Sequence, residues 1–269
     1  MTDAPTRQPT YPHAVALRIA LVRRPGPRLA DGMVTHQERV AVNLGLAHEQ
    51  WESYVAALLD AGWVLEEVEP ADDCPDAVFI EDPLVVFDDL AVITRPGAPS
   101  RRAETPGAEA TAMCAGLDIR HIMEPGTLDG GDVLKVGRTV YVGVSGRTNH
   151  AGIAQMWQLL EPLGWNVRPV PLTRVLHLKS AVTALPDGTV IGYPDLVDDP
   201  TMFEQFLPVP EPAGAHVVLL GGNQLLMSSD APRSAELFRS MGYDPIEVDI
   251  SEFEKLEGCV TCLSVRIRR

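Results

Sequence analysis

Two thiols stand close together near the end of the 269-residue chain, in Gly258-Cys259-Val260-Thr261-Cys262-Leu263-Ser264. A thiolate is a strong nucleophile once a neighbouring cation or imidazolium lowers its pKa from about 8.5. Cys262 opens the apolar run Leu263–Ile267, so it is expected at a strand edge, where a thiol can face a cavity. Two other readings stay open. A single cysteine is more often an inert core residue. Cys259 and Cys262 also form a C-x-x-C pair, the pattern of a redox dithiol or of half a zinc site. No second such pair and no nearby histidine accompany it, which argues against structural zinc.

A proton carrier for such a thiol would be an imidazole. In Leu176-His177-Leu178-Lys179-Ser180, strand alternation would place His177 and Lys179 on one face and the leucines on the other. Composition alone singles out none of the seven histidines. The segment Gly126-Thr127-Leu128-Asp129-Gly130-Gly131-Asp132 is tight and acidic. Its glycines allow close backbone approach to a ligand, and a plain acidic turn explains it equally well. It lacks the Lys and Ser/Thr of a phosphate loop. Asp76, Glu81 and Asp82 bracket the short apolar run Ala77–Ile80. Arg95, Arg101, Arg102 and Arg147 fall in loops after apolar runs. Carboxylates suit a guanidinium and arginines suit a carboxylate. An arginine-like amino acid carries both groups.

Helices and short strands must position these residues. Trp51, Tyr54, Val55, Leu58 and Leu59 share one helical face, and Gly62 can end that helix. A second helix is expected from about Thr148 to Gly164, and a third around Ala235–Met241, stopped by Gly242. Arg102–Gly116 is a weaker helical candidate, and Ser251 with Glu254 spells a capping box for a short helix to about Glu257. Strand-like runs are Ala14–Val22, Val78–Ile80, Leu84–Phe87, Leu90–Thr94, Val133–Val136, Thr139–Val144, Ser180–Leu185, Thr189–Gly192, Val217–Leu220 and Gln224–Ser228. Strand pairs thus alternate with single helices, an α/β pattern. Glu81, Asp129, His177, Asn223 and Cys262 punctuate it at intervals of about 40–50 residues, the spacing of a radial or solenoid repeat. In a radial array, equivalent positions point toward one axis, so distant side chains would share a pocket.

Composition sets the outer bounds. The chain has 45% hydrophobic residues, enough for one large core, and a net charge of −15. Such acidity disfavours nucleic acid and anionic membranes as partners. No apolar run approaches the ~20 residues that span a bilayer, and no signal core opens the chain. We expect a cytoplasmic protein with reduced thiols, residues 1–12 a frayed tail and residues 13–269 a single catalytic domain.

Together, Asp76–Asp82, Thr94–Arg102, Thr127–Leu134, Gly146–Asn149, Leu176–Ser180 and Thr261–Ser264 resemble the dimethylarginine dimethylaminohydrolases of the guanidine-modifying (pentein) superfamily. These stretches follow the family's order over nearly the whole chain. The resemblance implies a five-bladed α/β propeller of ββαβ units with pseudo-fivefold symmetry. It implies Cys262 as nucleophile, His177 as general acid/base and Asp129 as a carboxylate orienting the guanidinium. It implies substrate contacts from Asp76, Glu81, Asp82, Arg101 and Arg147, the two arginines on the α-carboxylate. It also implies backbone contacts from Leu29, in a lid after the first strand, and from Leu256. Metal and organic cofactor are expected to be absent, the partner is expected to be a small methylated arginine, and a homodimer is left open. Cys259 departs from the family pattern and would either form a regulatory disulfide or merely pack. Competing readings are an arginine deiminase-like hydrolase releasing ammonia, an amidinotransferase, a C-x-x-C redox or metal-binding protein, and a catalytically dead amino-acid binder.

Overall fold

The computed structural model describes residues 17–269; the expected tail and the first residues of the Ala14–Val22 run lie outside the described residues. Among the described residues, fifteen short strands form five three-stranded sheets. The first sheet joins the two ends of the described chain: β1 (Arg18–Val22) lies between β2 (Val64–Glu67) and the last strand, β15 (Val265–Arg268). The others are consecutive. They comprise β3 (Leu84–Phe87), β4 (Leu90–Ile93) and β5 (Asp118–His121); β6 (Val133–Val136), β7 (Thr139–Val144) and β8 (Asn166–Pro171). They continue with β9 (Val182–Ala184), β10 (Val190–Gly192) and β11 (Phe206–Pro208), then β12 (Val217–Gly221), β13 (Gln224–Ser228) and β14 (Asp244–Val248).

Every sheet repeats one rule. Its innermost strand pairs antiparallel with the middle strand, and the middle strand pairs parallel with the outer one. A parallel neighbour needs a crossover. In four units a helix makes it: α1 (Leu44–Asp60), α2 (Thr105–Cys114), α3 (His150–Leu160) and α4 (Pro232–Ser240). The fourth unit differs from the implied pattern. Between β10 and β11 the chain makes two 3-10 turns, Pro194–Leu196 and Pro200–Met202, because its prolines and aspartates offer no apolar helical stripe.

The helices start and stop for local reasons. Asn43 and Asn149 cap α1 and α3 by accepting the Leu46 and Gly152 N–H groups. Gly62 and Gly242 follow α1 and α4 with φ of 79° and 90°, which a glycine adopts without steric cost. Five apolar clusters fill the five seams between neighbouring units, and none is confined to one unit. Leu84 and Ile93 of the second unit, for example, pack on Leu21 and Val265 of the first. No unit buries its own face, so the units stand or fall as a ring. Innermost strands β3, β6, β9, β12 and β15 line one cavity on the axis. The architecture is a five-bladed α/β propeller, as the resemblance implied. Among the described residues, no helix is long and apolar enough to cross a membrane.

Several local expectations give way. All five outer strands escaped the pattern of apolar runs. They lie at the rim, where β2 and β5 are mostly exposed, so hydrophobicity does not mark them. Val78–Ile80 is buried yet forms consecutive turns, with Phe79 N–H donating to the Asp76 carbonyl. Leu178–Ser180 is a 3-10 turn, so His177 and Lys179 do not share a strand face. Cys262 sits in a turn, and its strand begins only at Val265. Asn223 lies in the β12–β13 hairpin, out of register with the other punctuation residues. The capping box is not made: Ser251 Oγ accepts from Gln50 Nε2, and the helix α5 covers only Ser251–Glu254.

Candidate active site

The segments leading into the innermost strands meet at one end of the axis. Glu81 N–H donates to the Cys262 carbonyl (3.2 Å), and Gly130 N–H to the Asp82 carbonyl (2.9 Å), stitching three units together. Leu178 N–H donates to Asp132 Oδ1 at 2.9 Å, adding the fourth. Over this end lies the segment after β1. One pocket results, lined by Met33, Asp76, Phe79, Asp82, Arg101, Arg147, Leu176, His177, Leu256, Glu257, Gly258 and Cys262.

His177 is held from several sides. Its Nε2 lies 3.0 Å from Asp129 Oδ2, and its Nδ1 lies 3.8 Å from Asp82 Oδ1. Gly131 permits this packing: a Cβ there would stand 2.6 Å from Nδ1. Asp129 is fully buried, and Gly97 N–H donates to its Oδ1 at 2.8 Å. It is absent from the pocket lining and backs the imidazole instead. Burial alone would discharge His177, but Asp82, the Asp129 hydrogen bond and Asp132 lift its pKa to about 9. Burial would also raise Asp82; the His177 charge and the Arg101 guanidinium overcome it and hold that carboxyl at about 2. For Asp132 burial wins, pushing it up to about 6. The resting ring is thus an imidazolium beside a carboxylate.

Cys262 is half-buried and lines the pocket, whereas Cys259 is buried behind it, with the two sulfurs 3.3 Å apart. That contact, burial, and the Glu81 and Asp82 carboxylates push the Cys262 thiol up. A cation bound in the pocket would oppose these effects and favour the ionised sulfur.

The remaining carboxylates and arginines separate into pocket and scaffold. Asp76 lines the pocket, and its Oδ1 accepts Met33 N–H at 3.0 Å. Burial raises its pKa against the pull of Arg101. Arg101 is buried and spent on protein partners: Asp82, both oxygens of Glu104, and the Asp76 and Phe79 carbonyls. Arg147 is freer. Its NH1 lies 3.7 Å from Asp129 and its NH2 lies 3.9 Å from Met33 Sδ. Glu81 does not line this pocket. It bonds Lys179 (2.5 Å), Arg266 (3.4 Å) and Thr261 Oγ1 (2.9 Å) on the axial-cavity side, beneath the cysteines. The Leu29 side chain is core. Its carbonyl comes near the site, since a Cβ on Gly32 would meet Asp76 Oδ1, the Leu29 carbonyl and Leu256 together. The glycines of the Asp129 segment serve close approach to protein: Gly130 to the Glu81 carbonyl, Gly131 to His177.

Sequence reasoning missed Glu257. It has φ 61°, and its Oε1 accepts three consecutive backbone N–H groups, those of Thr35 (3.0 Å), His36 and Gln37 (3.1 Å). This carboxylate fastens the segment after β1 over the pocket. Its only sequence signal was adjacency to Leu256. Asp82, Asp129 and His177 offer donor atoms within 4.8 Å of one another, a cluster that could hold a metal ion. Arg101 on Asp82 and Arg147 near Asp129 already supply positive charge there.

Comparison with known proteins places this geometry. No family model matches the chain. A dimethylarginine dimethylaminohydrolase of Streptomyces coelicolor is 64% identical over 249 residues, covering 93% of this chain and 96% of that protein. One of Pseudomonas aeruginosa is 35% identical over 251 residues, covering 91% and 98%. A solved structure of the P. aeruginosa enzyme, a mutant complexed with citrulline, superposes with a TM-score of 0.87 at 33% identity, over 94% of this chain and 100% of that one. The N-terminal domain of ArgZ, an arginine dihydrolase from cyanobacteria, shares the fold at a TM-score of 0.83 and 21% identity, over 93% and 97%. With two relatives above 30% identity over nearly their full length, and with the propeller observed, the chain belongs to the dimethylarginine dimethylaminohydrolase family.

Proposed function

We propose that this chain hydrolyses Nω-methylated arginine to citrulline and the methylated amine, with residues 13–269 acting as one catalytic domain. The observation that carries the reading is one pocket presenting a thiol, an imidazolium and two carboxylates, Cys262, His177, Asp76 and Asp82, in a member of this family. Asp76 and Asp82 orient the guanidinium by charged hydrogen bonds. The bound cation favours the ionised sulfur against the Cys259 contact, the burial and the carboxylates that hold the thiol protonated; the proton leaves to solvent and the thiolate attacks the guanidinium carbon. His177, charged at neutral pH, protonates the departing dimethylamine and leaves a covalent S-alkylthiouronium. Now neutral, it takes a proton from water, whose oxygen attacks the same carbon; the C–S bond then breaks, returning the Cys262 thiolate and releasing citrulline. Such acid/base help is worth about 10²–10⁴ in rate. Asp129 positions the ring. Arg147 takes the α-carboxylate; Leu256 lines the pocket, and the family resemblance assigns backbone contacts to it and to Leu29. Arg101 and Glu81 act through Asp82 and through the Thr261–Cys262 turn.

The test is incubation with asymmetric dimethylarginine and, separately, with arginine, reading citrulline, dimethylamine and ammonia. Citrulline with dimethylamine, abolished by Cys262→Ser, supports the reading. Turnover of arginine to ammonia alone indicates deiminase-type chemistry instead, and retained turnover in Cys262→Ser refutes the nucleophile.

A further inference from the structure

The mechanism uses one cysteine, yet the fold places a second against it. Cys262 N–H donates to the Cys259 carbonyl at 3.0 Å, closing a turn across the two residues. Such turns hold their end Cα atoms within about 7 Å, overlapping the roughly 4.4–6.8 Å span of disulfides. The sulfurs are 3.3 Å apart, so bonding them requires little backbone movement. Exposure differs usefully: Cys262 lines the pocket and is half-buried, while Cys259 is buried behind it. Thr261 Oγ1 contacts Cys259 Sγ at 3.3 Å and donates to Glu81, so the turn is braced from below.

We propose that Cys259 is a resolving thiol, and that the pair is a modification site at which a hydroperoxide reversibly converts the nucleophile into a Cys259–Cys262 disulfide. Peroxide enters through the pocket and meets Cys262. The Cys262 sulfur attacks one peroxide oxygen as its proton leaves: an S–O bond forms, the O–O bond breaks, and the departing hydroxide takes up the Cys262 proton as the first water. The sulfur becomes a sulfenic acid, two electrons more oxidised. Cys259 sulfur then attacks it: the S–S bond forms, the S–O bond breaks, and the departing hydroxide takes the Cys259 proton as a second water. Two thiols and one hydrogen peroxide thus give one disulfide and two waters. The pair stops at a state that external dithiol reverses, ahead of the irreversible sulfinic acid. The inference rests on Cys262 being the nucleophile.

The experiment treats the full chain with excess hydrogen peroxide, then divides it for activity with and without dithiothreitol and for peptide mass. Both cysteines fall in the single tryptic peptide Leu256–Arg266. The expected result is a peptide about 2 Da lighter than the dithiol form, with activity lost and largely recovered by dithiothreitol. Cys259→Ser, referred to its own untreated activity, should instead gain two oxygens on Cys262 and fail to recover. Wild-type protein accumulating sulfinic acid with no lighter peptide overturns the proposal, as does equal recovery in Cys259→Ser. If that variant does not fold, the wild-type mass decides alone. The mass readout needs no turnover, so an inactive protein would sink the function and leave this result standing, and the converse holds.

Discussion

Gly131→Ala should cripple turnover while leaving the fold intact. The new Cβ would stand 2.6 Å from His177 Nδ1, 2.8 Å from its Cγ and 2.8 Å from Asp82 Oδ1, where ordinary contact begins at 3.4 Å. The imidazole must therefore retreat by about 0.8 Å. It cannot do so freely, because Asp129 holds its far nitrogen at 3.0 Å and is itself fixed by Gly97 N–H. Asp82 is equally confined, between Arg101 and the Gly131 N–H at 2.9 Å. Overpacking of this kind costs about 1–3 kcal/mol, and a misplacement near 1 Å costs about 10²-fold in rate. Steady-state citrulline formation should show kcat/KM down by roughly 100-fold, and a thermal melt should show a loss of several degrees, about 2–4 °C per kcal/mol at this chain length. A variant within threefold of wild-type activity, with an unchanged melt, would refute the claim that the imidazole's position is rigidly set.

Arg101→Ala strands the buried Asp82 and Glu104 carboxylates and should cost about 3–5 kcal/mol in urea unfolding, whereas Arg147→Ala should mainly raise KM with little change in stability. The His177 pKa is raised from 6.5 to about 9, so its contribution to stability is complete below pH 6.5 and lost as pH rises through 9. Urea midpoints should fall between pH 7 and 10, and fall less in His177→Ala. Glu257→Ala removes the acceptor for three N–H groups, so amide exchange at Thr35–Gln37 should accelerate and KM should rise about tenfold or more, with partial rescue by Glu257→Gln. Unchanged exchange in Glu257→Ala would show that the segment is held by other contacts.

The innermost and middle strands were legible in the sequence because both are buried, so Leu84–Phe87 and Thr139–Val144 read as apolar runs. The helices were legible through their apolar stripes and closing glycines. Outer strands such as Val64–Glu67 and Asp118–His121 were not, since rim exposure leaves them polar and only parallel pairing to a middle strand makes them strands. Local sequence also brought forward Cys262, His177 and the acidic segments, without ranking them above inert alternatives; the family resemblance did that. Tertiary structure alone decided which charged groups face the pocket. It turned Glu81 and Lys179 toward the axial cavity, spent Arg101 on Asp82 and Glu104, set Asp129 behind the imidazole, and pinned the covering segment with Glu257. The reason is physical. A side chain's facing here follows from turn geometry and from partners contributed by other blades, tens to hundreds of residues away, and no local periodicity encodes those partners.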